Sequence, residues 1–165
     1  MLGLPAAMRE AKPDVVFLLL GARPNDYIQA PDGAWVRACD PRFDEAYRTS
    51  TRAVVQALGA GGRPVVLGTI VPGGRNALVI EGAEERSACV NKILKGLADE
   101  LANGHLVDLS ALVCPDGPGR PCREDLDGAP IRTDGLHYDA GEGGARVADW
   151  VVARSLEAAG LEPGS

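Results

Sequence analysis

Two unbroken apolar runs, Val15-Val-Phe-Leu-Leu-Leu20 and Pro64-Val-Val-Leu-Gly-Thr-Ile-Val71, constrain the fold more than any other feature of the chain. An apolar run of this length without polar alternation, closed at both ends by turn formers, suits a strand buried on both faces, the hallmark of a parallel sheet. Pro13-Asp14 and Gly21 bound the first run, and Pro72-Gly-Gly74 ends the second. His105-Leu-Val-Asp-Leu109 reads as a third, shorter strand. Between the strands the apolar period changes to that of a helix. Asp40-Pro41 is a helix start, with Phe43, Tyr47, Val54 and Leu58 on one face. A second helix over 84–102 carries Val90, Ile93, Leu94, Leu97 and Leu101. In the last helix Asp139 is the expected N-cap and Glu142 completes a capping box. The stripe Val147, Ala148, Val151, Val152 and Leu156 follows, and Gly160 is the stop. Residues 4–11 read as a short helix and 22–39 as a polar loop.

Strands alternating with helices predict an α/β fold, a parallel sheet with helices on both faces. A length of 165 residues suits one domain, 1–165. Sites in such sheets form beyond the C-terminal strand ends. That rule gathers Gly21–Asp26, Thr69–Gly74 and the loop after the third strand at one edge.

Composition excludes several partners. The net charge is -6 without a basic stripe and aromatic content is 4%, so nucleic acid is not an expected partner. No apolar run approaches a membrane span, and the first eight residues lack the charged start and apolar core of a signal peptide. The four cysteines form no Cys-x-x-Cys, which argues against zinc, and no metal site is expected. Cys114 and Cys122 bracket the turn-rich run Pro115–Pro121 and are expected to pair, as are Cys39 and Cys89, in an oxidising compartment.

Arg132-Thr-Asp-Gly-Leu-His-Tyr138 is the stretch richest in chemistry, and His137 is one of only two histidines, the other being His105. Imidazole is the natural proton carrier near neutral pH. A carboxylate on its second nitrogen fixes the tautomer and stabilises the imidazolium formed in acyl transfer. Asp134-x-x-His137 supplies both groups locally. A capped, solvated loop is the competing reading.

The order of these blocks resembles the SGNH/GDSL hydrolases. It runs from Lys12-Pro-Asp-Val-Val-Phe-Leu-Leu-Leu-Gly21 through Gly-Gly-Arg-Pro-Val-Val-Leu-Gly-Thr69, Glu85-Arg86 and Asn91, to Leu-Val-Asp-Leu109 and Asp134-Gly-Leu-His137. It is most similar to the SGNH domains attached to bacterial membrane O-acyltransferases. The resemblance covers nearly the whole chain and implies a three-layer flavodoxin-like SGNH fold. It implies ester hydrolysis or O-acyl transfer by a Ser-His-Asp mechanism, with His137 as base and Asp134 orienting it. It implies no cofactor, a small acylated carbohydrate substrate, an extracytoplasmic setting, and a membrane acyltransferase domain in full-length relatives. The family's oxyanion donor is an Asn in a Gly-x-Asn-Asp block. Here that block becomes Gly21-Ala-Arg23-Pro-Asn25-Asp26, so Gly21 marks the turn and either Asn25 or Arg23 is the donor.

One departure is larger. The family opens on a Gly-Asp-Ser block carrying the nucleophile, and no serine here follows Gly-Asp. Ser50, Ser87, Ser110 and Ser155 lie in predicted helices or just after a strand, without a nucleophile turn. The expectation is an N-terminally incomplete domain that is inactive as an isolated chain. The alternative is a non-catalytic flavodoxin-like scaffold or degenerate paralogue.

Overall fold

The second apolar run becomes the best-buried strand of the molecule. The computed structural model describes residues 8, 10–20, 27–73, 80–117 and 120–162. Strand β1 is Val16–Leu18, β4 is Val65–Gly68 and β5 is Gly104–Val107. They form a parallel sheet in the order β1-β4-β5, with Val16 opposite Val65 and Val65 opposite Gly104. All four residues of β4 are buried, as a central strand covered on both faces requires. Val65 and Leu67 point into a cluster with Val55, Leu58, Val90, Leu94 and Leu97. Val66 points the other way by the pleat and is equally buried. The first apolar run is a correction: β1 is half-buried and Leu19 exposed, because among the described residues β1 pairs only with β4.

Helix α1, Pro41–Leu58, starts as its sequence predicts. The Asp40 carboxylate accepts from the Arg42 N–H at 2.9 Å and Pro41 opens the helix. Helix α2 is Ala83–Glu100 and buries Val90, Ile93, Leu94 and Leu97 against β4 and β5, beside α1. A short helix α3, Leu109–Val113, is capped by Asp108. Helix α4, Glu142–Ala158, packs on β5. This is an α/β arrangement with a parallel sheet, consistent with a flavodoxin-like fold. Both expected disulfides are present, Cys39–Cys89 and Cys114–Cys122.

Three expectations change. The N-cap of α4 is Gly141 and not Asp139, whose carboxylate is spent on Thr133 instead. The buried face of α4 runs through Gly143, Val147 and Ser155 while Val152 is exposed, so the stripe is rotated from the predicted one. The loop expected over 22–39 contains a hairpin, β2 (Ile28–Gln29) against β3 (Trp35–Val36). Pro31-Asp32-Gly33 between alternating residues was its signal. Gly33 takes φ +82°, a left-handed conformation that glycine adopts freely. A second hairpin pairs β6 (Asp125–Leu126) with β7 (Ala129–Pro130) and leads into the Asp134–His137 loop.

Candidate active site

The loop from Ile131 to Asp139 is fixed at both ends before its chemistry begins. Ile131 is fully buried with Leu109, Val113 and Val147. Its N–H donates to the Glu124 carbonyl at 3.0 Å, and the Asp139 N–H donates back to the Ile131 carbonyl at 3.0 Å. Asp139 closes the loop from inside, accepting from the Thr133 N–H at 3.0 Å and the Thr133 hydroxyl at 2.8 Å. Gly135 sits at φ +75° at the turn.

Within this frame Asp134 folds the chain around its own carboxylate. Oδ1 accepts from the backbone N–H groups of Leu136 at 2.8 Å and His137 at 2.7 Å. Oδ2 lies 2.7 Å from Nδ1 of His137. The hydrogen bond with His137, then those from the two backbone amides, holds the Asp134 pKa at about 2, below the ordinary 3.8. An ionised carboxylate only accepts, so Nδ1 carries the proton and Nε2 of the neutral ring carries the lone pair. Nε2 makes no hydrogen bond among the described residues, and the His137 side chain is 79% exposed. The pair can take a proton from a group arriving at Nε2, with Asp134 stabilising the imidazolium formed.

Arg132 ties this loop to the end of β4. It is 4% exposed, and one terminal N–H donates to the Pro72 carbonyl at 2.8 Å. His137 therefore belongs to a loop anchored beyond the C-terminal end of β4. Burial lowers the Arg132 pKa, partly offset by Tyr138 and Asp134. Burial likewise pushes the Tyr138 phenol up to about 12, and its hydroxyl has no hydrogen-bond partner among the described residues. Arg132 opened the chosen stretch but sequence reasoning gave it no role. A cation at the start of a carboxylate loop gives no signal of burial.

A second polar cluster stands at the same edge. Thr69 donates its hydroxyl to Asp108 at 2.9 Å and accepts the Ser110 N–H at 2.8 Å. Burial pushes the Asp108 pKa up, but bonds from Ser110, Ala111 and Thr69 outweigh it and leave the pKa lowered. Asn91 clamps Ile70, accepting its N–H at 2.7 Å and donating to its carbonyl at 2.9 Å. A cleft of about 240 Å³ opens between these groups, lined by Pro72, Asn91, Asp108, Ser110 and Cys114 among others. His137 does not line it.

The other site expectations divide as follows. Gly21, Arg23 and Asn25 lie outside the described residues. Ser50 donates to Ala46 and Tyr47 carbonyls, Ser87 to Ala83 and Ser110 to Asp108, and Ser155 is buried without a partner among the described residues. None of these four hydrogen-bonds His137. His105 lies on β5, opposite Val66. Among the described residues no three His, Cys, Asp or Glu are grouped to hold a metal ion. No helix among them is long and apolar enough to cross a membrane.

Fold and loop thus define a class: an α/β protein with a carboxylate–imidazole pair past the strand ends of a parallel sheet. The chain belongs to the family described as "Protein of unknown function (DUF459)", whose model matches residues 3–154. No curated protein matches it.

Proposed function

We propose that this chain carries the base half of an SGNH-type ester-cleaving or O-acyl-transferring centre. In this reading His137 takes the proton of an attacking serine hydroxyl and returns it to the leaving group, and Asp134 holds the imidazole in the required tautomer. The observation that carries the reading is the Asp134–His137 geometry. One carboxylate oxygen meets Nδ1 at 2.7 Å, the other is locked by two backbone amides, and Nε2 has no partner among the described residues. The order of sequence blocks supports the same reading, as do the two disulfides, which suit an extracytoplasmic domain. The substrate class is a small acylated molecule. None of the four described serines hydrogen-bonds His137, so the chain alone is expected to show little or no esterase activity.

The test is complementation. The chain as it stands turns over p-nitrophenyl acetate no faster than its His137→Ala variant. Extended at its N-terminus by a strand ending in Gly-Asp-Ser, it gains turnover that His137→Ala abolishes and Asp134→Asn lowers by roughly 10⁴-fold, the scale for a lost triad carboxylate. Turnover by the extended protein that survives His137→Ala would sink the assignment. The competing reading, a non-catalytic scaffold, draws on the exposure of His137, and it is upheld if no extension produces His137-dependent turnover.

A further inference from the structure

The β2–β3 hairpin has an outer face that nothing in the ester chemistry uses. Its register sets Ile28 opposite Val36 and Gln29 opposite Trp35, and just beyond the strand ends the Arg37 guanidinium lies over the Tyr27 ring. The pleat sends alternate residues to opposite faces. Ile28, Ala30, Val36 and Ala38 point into the main core. Tyr27, Gln29, Trp35 and Arg37 all point to solvent, with Trp35 66% and Tyr27 54% exposed. Trp is highly buried on average, so one left this open needs a reason. Two of the chain's seven aromatic residues sit on this one small face.

We propose that this face is a docking platform for a neutral glycan chain. The argument rests on how ring and polar groups alternate. Trp35 lies across from the Gln29 amide, and the Arg37 guanidinium stacks over Tyr27, 5.5 Å from its centroid. Among the described residues Gln29 makes only a long contact of 3.4 Å from Nε2 to the Gly33 carbonyl, and its Oε1 has no partner there. Arg37 forms no ion pair among the described residues. A pyranose matches this arrangement, with an apolar C–H face to lie on an aromatic ring and a rim of hydroxyls for an amide and a guanidinium. Charge disfavours polyanions, since a net charge of -6 repels a phosphate or sulfate backbone. Area disfavours a protein partner: the open parts of the two rings present roughly 250 Å². A standard interface needs about 800 Å² per side. The platform is independent of His137 and can bind when the ester reading fails.

The experiment uses the oxidised chain carrying Trp150→Phe, so that Trp35 is the sole tryptophan. Its emission is followed during titration with hexaoses of β-1,4-glucose, α-1,4-glucose, β-1,4-mannose and β-1,4-N-acetylglucosamine, with a heparin hexasaccharide as the polyanionic control. At least one neutral hexaose is expected to shift the emission saturably. Tyr27→Ala and Gln29→Ala should weaken that binding, the first by about tenfold, the scale of one lost stacking ring. Calorimetry on Trp35→Ala, whose side chain is exposed and whose far-UV CD should be unchanged, reads the same loss without the fluorophore. The proposal is overturned by no response to any neutral hexaose up to ~10 mM, the weak limit of useful recognition. Tighter binding of heparin overturns it too. So does a dimer that Trp35→Ala dissolves, which would make the face a contact between copies.

Discussion

The loop around His137 and the hairpin around Trp35 both present exposed side chains to solvent, but they hold them by different means. In the loop, the acceptor oxygens of Asp134 and Asp139 consume the backbone N–H groups of Thr133, Leu136 and His137. One side chain is thereby fixed in one orientation. The hairpin has only two paired residues per strand, and its outer face is set by alternation alone. A short isolated ribbon is marginal in water, so it depends on Ile28, Ala30, Val36 and Ala38 seated in the core. Proton transfer needs a fixed nitrogen. A surface that only stacks needs a face of the right chemistry and tolerates looser geometry.

Each region has its own disulfide, and removing them should separate the two most strongly. Cys39–Cys89 joins the segment after the hairpin to α2 across 50 residues, whereas Cys114–Cys122 spans 8. By the loop-closure argument, the double Cys→Ala variant of the long bridge loses about 4 kcal/mol and that of the short bridge about 2.5 kcal/mol. Urea unfolding measures both. Equal losses would mean that local packing, rather than chain closure, sets the worth of these bridges.

Truncating the anchors is the next test. Ile131→Ala removes a fully buried side chain at the base of the Asp134–His137 loop and should cost about 3 kcal/mol. Ile28→Ala removes a half-buried one beneath the hairpin and should cost about 1.5 kcal/mol, because water already reaches part of it. A larger loss at Ile28 would show that the hairpin is the better anchored of the two.

Tyr138→Phe is a finer probe. The Tyr138 hydroxyl is buried without a partner, so deleting it removes a desolvation penalty. Stability should hold or rise by up to about 1 kcal/mol. A loss of that size would mean that the phenol finds a hydrogen bond in solution, the Arg132 guanidinium being a charge that acts on it.

How much of this was legible in the sequence follows from which forces are local. The Asp134–His137 contact spans three residues and needs only a turn, so spacing revealed it. The Asp40 cap and Pro41 start are equally local. Cys114–Cys122 was readable because a turn-rich loop brings its ends together. The half-buried state of β1 was not, since an apolar run does not say how many neighbours the strand will find. Asp139 was misassigned because one carboxylate can cap a helix or close a loop, and the nearby Thr133 decided in favour of the loop. Arg132 and the Thr69–Asp108–Ser110 cluster escaped notice because residues 39 to 60 positions apart meet only once the sheet has formed. The hairpin was overlooked although Pro31-Asp32-Gly33 announced it.

The smallest expected effect concerns the charge on Asp134, and it tests the rigid half of the contrast directly. Its folded pKa of about 2 lies below the ordinary 3.8, so the folded state favours the ionised form. The stabilisation it contributes is therefore complete above about pH 4 and is lost as pH falls through about 2. Because the pair is exposed and solvent-screened, little global stability should follow. The signature is local. The Asp134 carboxyl carbon should titrate with a midpoint of about 2 in an NMR series, and the amide shifts of Leu136 and His137 should move in the same step. In Asp134→Asn that step vanishes from both amides, and the His137 ring nitrogens should share the neutral proton as in free imidazole, because no anion selects Nδ1–H. A midpoint near 3.8 would show that the three hydrogen bonds to Asp134 are not kept in solution. His137 would then be as loosely held as the aromatic residues of the hairpin, and a base fixed for proton transfer would have no structural footing.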